Sequence, residues 1–186
     1  MVKVGVLALQ GDFREHIRVL ADLGAAPIEL RTPSQLDDVQ ALVIPGGEST
    51  TIGKLARSAE LVEPIRERAE AGMPVLGTCA GMIVMAERVI DGQPLLEVMD
   101  VTVRRNAYGR QVDSFEADVA VEGIDHPVRG VFIRAPWIEE TGPDVEILAE
   151  HEGRPVVLRQ GTRVAASFHP ELIGETGLHE AFLSLV

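Results

Sequence analysis

Residues 2–9, 41–44 and 73–76 are short apolar runs, and each leads into a glycine-bearing turn. Runs that are apolar on both faces suit interior strands of a parallel sheet covered by helices on either side. The segments between them fit. After Gln10-Gly11, Asp12 and Glu15 have the spacing of a capping box. Phe13, Ile17 and Leu20 then mark one face of a helix that Gly24 stops. A second strand is expected over 26–31, a third over 41–44, and a helix over 61–71 closed by Gly72. Strand and helix in alternation predict an α/β fold whose functional loops lie at the carboxyl ends of the strands.

The turn after residues 73–76 is Gly77-Thr78-Cys79-Ala80-Gly81, followed by a helix expected over 82–87. Gly-x-Cys-x-Gly between a strand and a helix is the thiol form of a nucleophile elbow. Small flanking residues are needed where the backbone is tight, and a helix beginning beyond the sulfur favours thiolate. A lone cysteine is more often a small buried apolar residue; the two glycines and the strand-to-helix switch favour the reactive reading here.

From residue 98 onward the pattern changes. Strands are expected over 98–103, 115–121, 128–133, 145–150, 155–159 and 163–168, paired as antiparallel strands or hairpins because few helices separate them. A polar, arginine-rich loop spans 104–111, and a last helix is expected over 176–186. With 186 residues, 46% hydrophobic and no linker or repeat, one domain is the economical reading. The single cysteine fits a reducing compartment. A formal net charge of −12 gives no electrostatic reason to bind nucleic acid or anionic lipid. No apolar run is long enough to span a membrane, and the expected location is cytoplasmic.

Ser167-Phe168-His169-Pro170-Glu171 follows the final strand. In an extended segment His169 and Glu171 would point to one side. A carboxylate beside an imidazole fixes its tautomer and stabilises its cation, and a cysteine nucleophile needs such a base. Alone, the tripeptide reads as a surface turn; beside a cysteine elbow, Cys79, His169 and Glu171 read as a catalytic set. His16, His126, His151 and His179 show no such partner pattern and receive no role.

Pro45-Gly46-Gly47-Glu48-Ser49-Thr50 offers backbone N–H groups for an oxyanion, and the Ala80 N–H beside the nucleophile is the second natural donor. Gly53-Lys54 does not make this a phosphate-binding loop, because Glu48 stands where the first glycine is required and Leu55 follows the lysine. Arg105 and Arg134 are candidates for a carboxylate clamp. No group of residues has metal-ligand spacing.

Gly-Thr-Cys-Ala-Gly, Pro-Gly-Gly-Glu-Ser-Thr and His-Pro-Glu together resemble the class I, or triad, glutamine amidotransferases. Within them the chain is similar to the glutaminase subunits of pyridoxal 5′-phosphate synthases. That likeness rests on Leu9-Gln10-Gly11 with Arg14-Glu15-His16, on the block from Arg105-Asn106 to Phe115-Glu116, and on Phe132-Ile133-Arg134-Ala135-Pro136. The resemblance implies a flavodoxin-like glutaminase fold, a mixed central sheet with helices on both faces. It implies Cys79 as nucleophile, His169 as base and Glu171 as its orienter. Glutamine contacts are implied from Gly47, Glu48, Ser49, Arg105, Ile133 and Arg134, with Gly47 and Ala80 at the oxyanion. It further implies a glutaminase that uses no metal or organic cofactor, and ammonia supply to a synthase subunit of (β/α)₈ barrel fold within a large hetero-oligomer. Two other readings compete. A different thiol hydrolase of similar fold would have no reason to carry the Arg105 block. A non-catalytic regulatory subunit would have lost a member of the triad.

Overall fold

The computed structural model describes residues 1–105 and 114–186. Its central sheet has seven strands: β1 (Lys3–Leu7), β2 (Ala26–Leu30), β3 (Ala41–Ile44), β4 (Val75–Thr78), β10 (Glu146–His151), β11 (Arg154–Gln160) and β12 (Arg163–Ala166), in the order β10-β11-β12-β4-β3-β1-β2. The strands from β12 to β2 are parallel to their neighbours; β10 and β11 complete the edge in antiparallel register. The mixed central sheet is as expected. All-antiparallel pairing in the second half is not, since β12 lies parallel to β4, with Ala166 opposite Thr78.

Helices α1 (Phe13–Asp22), α2 (Pro33–Leu36), α3 (Ser49–Ser58), α4 (Val62–Glu70), α5 (Ala80–Met85) and α6 (Gly177–Leu183) flank this sheet. Alternation along β3 explains the two cores. Leu42 and Ile44 pack with Ile52 of α3, Ile65 of α4 and Val84 of α5. Ala41 and Val43 pack on the opposite side with Leu20 of α1 and Phe182 of α6. Two smaller sheets sit beside them. One joins β5 (Ala86–Ile90), β6 (Met99–Arg104) and β9 (Trp137–Thr141); the other pairs β7 (Phe115–Val119) with β8 (Val128–Phe132).

Several local expectations change. Asp12 precedes α1 but makes no side-chain cap, so the capping box with Glu15 is not formed. The helix expected over 82–87 lies at Ala80–Met85, and β5 begins at Ala86 and runs parallel to β6. Most of the arginine-rich loop, from Asn106 to Asp113, falls outside the described residues.

The elbow itself is tightly packed. Cys79 has φ 49 and ψ −104, a left-handed conformation rare for a residue with a side chain. A Cβ on Gly77 would lie 2.8 Å from the Gly81 carbonyl oxygen, and one on Gly81 would overlap the Ile44 carbonyl. Gly81→Ala should therefore destabilise the protein by about 1–3 kcal/mol in denaturant unfolding, against a helix-propensity gain of about 1 kcal/mol. A variant as stable as the parent would show that α5 can move off β3.

Candidate active site

The carboxyl ends of four adjacent parallel strands supply the site. β4 delivers Cys79, β3 delivers Gly46 and Gly47, β12 delivers His169, and the turn after β1 delivers Asp12. His169 is pinned to the neighbouring β8 by reciprocal backbone bonds with Val131: its N–H donates to the Val131 carbonyl at 2.8 Å, and the Val131 N–H donates back at 3.2 Å. β8 then leads into Ile133 and Arg134, the latter at φ 45.

His169 Nδ1 donates to Glu171 Oε1 at 2.7 Å. The two come together through a turn rather than along an extended strand, because Pro170 is in the right-handed helical region and Glu171–Ile173 forms a 3-10 turn. Both side chains are buried. Gly46 lies against the imidazole so closely that any Cβ there would overlap the ring. Burial works against a charged His169, but the Cys79 contact and the bond to Glu171 outweigh it and raise its pKa to about 10. Burial likewise works against a charged Glu171, yet His16 and His169 hold its carboxyl well below the usual range.

Cys79, Ala80, Gly47, Glu48, Ser49, Arg105, Ile133, Arg134 and His169 line one cleft of about 230 Å³, together with Asp12 and Ile83. Every residue expected at the site thus borders it except Glu171, which stands behind His169. The Cys79 Sγ lies 3.9 Å from the Ile133 carbonyl oxygen. Glu48 has its own structural duty. It caps α3 by accepting from the Thr50 and Thr51 N–H groups at 3.0 and 2.8 Å, and it pairs with Arg105 at 3.2 Å. Although desolvation opposes it, the bonds from Thr51 and Thr50 lower the Glu48 pKa to about 2. Its N–H donates to Gln10 Oε1 at 2.8 Å, which ties the glycine loop to the turn after β1.

Sequence reasoning missed Asp12, His16 and His179. Asp12 Oδ2 lies 3.5 Å from His169 Nδ1, and burial, joined by the charges of Glu171 and Glu15, raises its pKa. His16 and His179 are fully buried behind Glu171. A signal for His16 was present: with Phe13, Ile17 and Leu20 it completes the i, i+3, i+4, i+7 face that α1 turns inward. Asp12, His169 and Glu171 also bring ligand-type atoms within 4.8 Å of one another. With its Nδ1 proton donated to Glu171, His169 offers no lone pair there.

The match to known proteins is decisive in one respect. The model of the SNO glutamine amidotransferase family matches residues 6–186.

The chain belongs to that family.

It is 58% identical to pyridoxal 5′-phosphate synthase subunit PdxT of Acidothermus cellulolyticus, covering 99% of this chain and 93% of that protein. Against the PdxT subunit of Mycobacteroides abscessus it is 53% identical, covering 98% and 96%. A crystal structure of a glutamine amidotransferase superposes with a TM-score of 0.93 at 50% identity, covering 98% of this chain and 97% of that one. The structure of PurLQS from Thermotoga maritima, at 18% identity and TM-score 0.71, shares the fold.

The His169–Glu171 pair carries a sign that can be tested. Because His169 titrates above its ordinary 6.5, its charge stabilises the fold fully below that pH, and the contribution is lost as pH rises towards about 10. Glu171 is held low, so its contribution is present above the ordinary carboxylate range and lost as pH falls through its depressed value. In Glu171→Gln, the His169 midpoint followed by NMR should fall by at least about one unit. The loss of thermal stability between neutral and alkaline pH should shrink with it. A midpoint unchanged by the substitution would contradict the pairing.

Proposed function

We propose that the chain is the glutaminase subunit of a pyridoxal 5′-phosphate synthase, hydrolysing L-glutamine to L-glutamate and supplying the ammonia to a synthase partner. The observation that carries this is the geometry of Cys79 and His169 in one cleft with two arginines, in a chain more than half identical to two PdxT subunits. One glutamine amidotransferase domain over 1–186 is the reading that the family match over 6–186 supports.

Cys79 is the nucleophile. Its thiolate adds to the side-chain carboxamide carbon of glutamine, and the oxygen takes negative charge against the Ala80 and Gly47 N–H groups. His169, protonated at Nε2, gives that proton to the departing nitrogen, and ammonia leaves a γ-glutamyl thioester. The neutral imidazole next takes a proton from water as the hydroxyl attacks the thioester carbon. Collapse releases glutamate and restores the thiolate–imidazolium pair. Glu171 keeps the imidazole aligned and stabilises its cation throughout. Each oxyanion donor should be worth about 3 kcal/mol of barrier. Arg105 and Arg134 suit the substrate α-carboxylate, with Glu48, Ser49 and Ile133 completing its surroundings.

The partner is read as a (β/α)₈ barrel in a large hetero-oligomer, to which ammonia passes without release to solvent. Location in the cytoplasm is supported by the single cysteine; among the described residues no helix is long and apolar enough to cross a membrane.

Glutamate release should rise on adding the cognate synthase subunit and vanish in Cys79→Ala under both conditions. Arg105→Ala should raise KM at least about tenfold while sparing kcat, as loss of a charged ground-state contact does. Equal release with and without the partner would contradict the coupled role, and persistence in Cys79→Ala would remove the cysteine from the chemistry.

A further inference from the structure

Behind the triad lies a buried chain of imidazoles that the glutaminase chemistry above does not use. His16 of α1 and His179 of α6 are both 0% exposed, although their elements are 163 residues apart in sequence. His16 Nδ1 lies 2.8 Å from His179 Nε2. On its other side, His16 Nε2 lies 3.1 Å from Thr78 Oγ1 and 3.4 Å from Glu171 Oε1. That oxygen is the one accepting from His169. Two imidazoles from different elements therefore converge on one carboxylate oxygen, and Thr78 is the residue immediately before the nucleophile.

Buried polar side chains cost stability unless each is paired, so the hydrogens can be placed by elimination. A lone pair on His16 Nε2 facing a buried carboxylate would be repulsive; an N–H there is attractive. His16 Nε2 therefore carries a hydrogen, and His16 Nδ1 shares the single hydrogen of its 2.8 Å bond with His179 Nε2. Burial, joined by the neighbouring His16, holds His179 down at about 3, so its ring is neutral.

We propose that His16 is a positioning residue of the triad: its Nε2–H, shared between Thr78 Oγ1 and Glu171 Oε1, holds the carboxylate in line with His169, and His179 braces the far side of the ring. The inference rests on the triad reading above and deepens it. It gives Glu171 a second anchor, so that the orienter of His169 is itself oriented by α1 and α6. Without that anchor the carboxylate would keep its burial and lose one of the hydrogen bonds that keep it ionised. The remaining titratable groups facing the cluster are His169 and Cys79 on the cleft side, and Asp12 and Glu15 at the start of α1. Ionised Asp12 and Glu15 are acceptors only and cannot replace its donated hydrogen.

The test separates the two nitrogens. In His16→Gln the side-chain amide NH₂ falls near the position of Nε2 and can still donate to Glu171. In His16→Asn it falls near Nδ1, keeping a polar group opposite His179 while withdrawing the donor from Glu171. Alkylation of Cys79 by iodoacetamide, followed against pH, needs neither glutamine nor the synthase and so reports on the triad even if the glutaminase reading fails. The acid limb of the alkylation profile should move up by about one unit in His16→Asn and stay within a few tenths of the parent in His16→Gln. Identical profiles in parent and His16→Asn, with only a lowered Tm, would make His16 a packing residue and overturn the proposal. If His16→Asn does not fold, long-range ¹H–¹⁵N spectra of the parent decide. A protonated Nε2 on His16 is expected. A neutral ring protonated at Nδ1 would overturn the inference.

Discussion

Glu171 is a carboxylate buried to 97% in a protein of net charge −12, and the rest of the site is built to keep it ionised. Left alone, such a group would take up a proton. Two imidazoles prevent that, one reaching it from the cleft side and one from α1. The consequence runs outward. Against its own burial, the Cys79 contact and an ionised Glu171 together hold His169 protonated well above neutral pH, and a protonated His169 beside Cys79 is the state a thiolate nucleophile requires. The cost of burying one charge is thus offset by the alignment and charge state of the residue in front of it.

The sheet fixes where this can happen. The parallel strands β1, β3, β4 and β12 end on the same edge, so residues far apart in sequence meet without long loops. Close approach then selects the small residues. Gly46 must pass under the His169 ring, and Gly81 must pass beside the Ile44 carbonyl. The backbone at Cys79 is strained. Its surroundings over-determine that conformation: its N–H donates to the Ala166 carbonyl of β12 at 2.8 Å, and β4 is held between β3 and β12.

Much of this was legible in the chain. The near-continuous apolar runs mark the interior parallel strands because neither face of such a strand meets water. Gly-x-Cys-x-Gly marks the elbow because packing there excludes side chains. His169 and Glu171 were paired correctly for a partly wrong reason. Alternation along an extended strand puts residues two apart on one side, whereas here a turn at Pro170 folds Glu171 back beneath the ring. Helix α3 was hidden because its cap is Glu48, a residue that reads as part of the glycine loop, and its carboxylate bonds to Thr50 and Thr51 are tertiary detail. The boundary between α5 and β5 was missed because Met85 and Ala86 are apolar in either conformation. His16 and His179 were unreadable as partners, since only the packing of α1 against the end of the chain brings them to 2.8 Å.

The central claim is that Cys79 forms a γ-glutamyl thioester with glutamine under the control of His169. Rapid acid quenching of the protein and its synthase partner during turnover, followed by peptide mass spectrometry, tests it most directly. A glutamyl adduct confined to the peptide bearing Cys79, present with glutamine and absent in Cys79→Ala, is the predicted result. Steady glutamate release with no adduct on that peptide at any quench time, under conditions that trap thioesters, would contradict covalent catalysis by this cysteine.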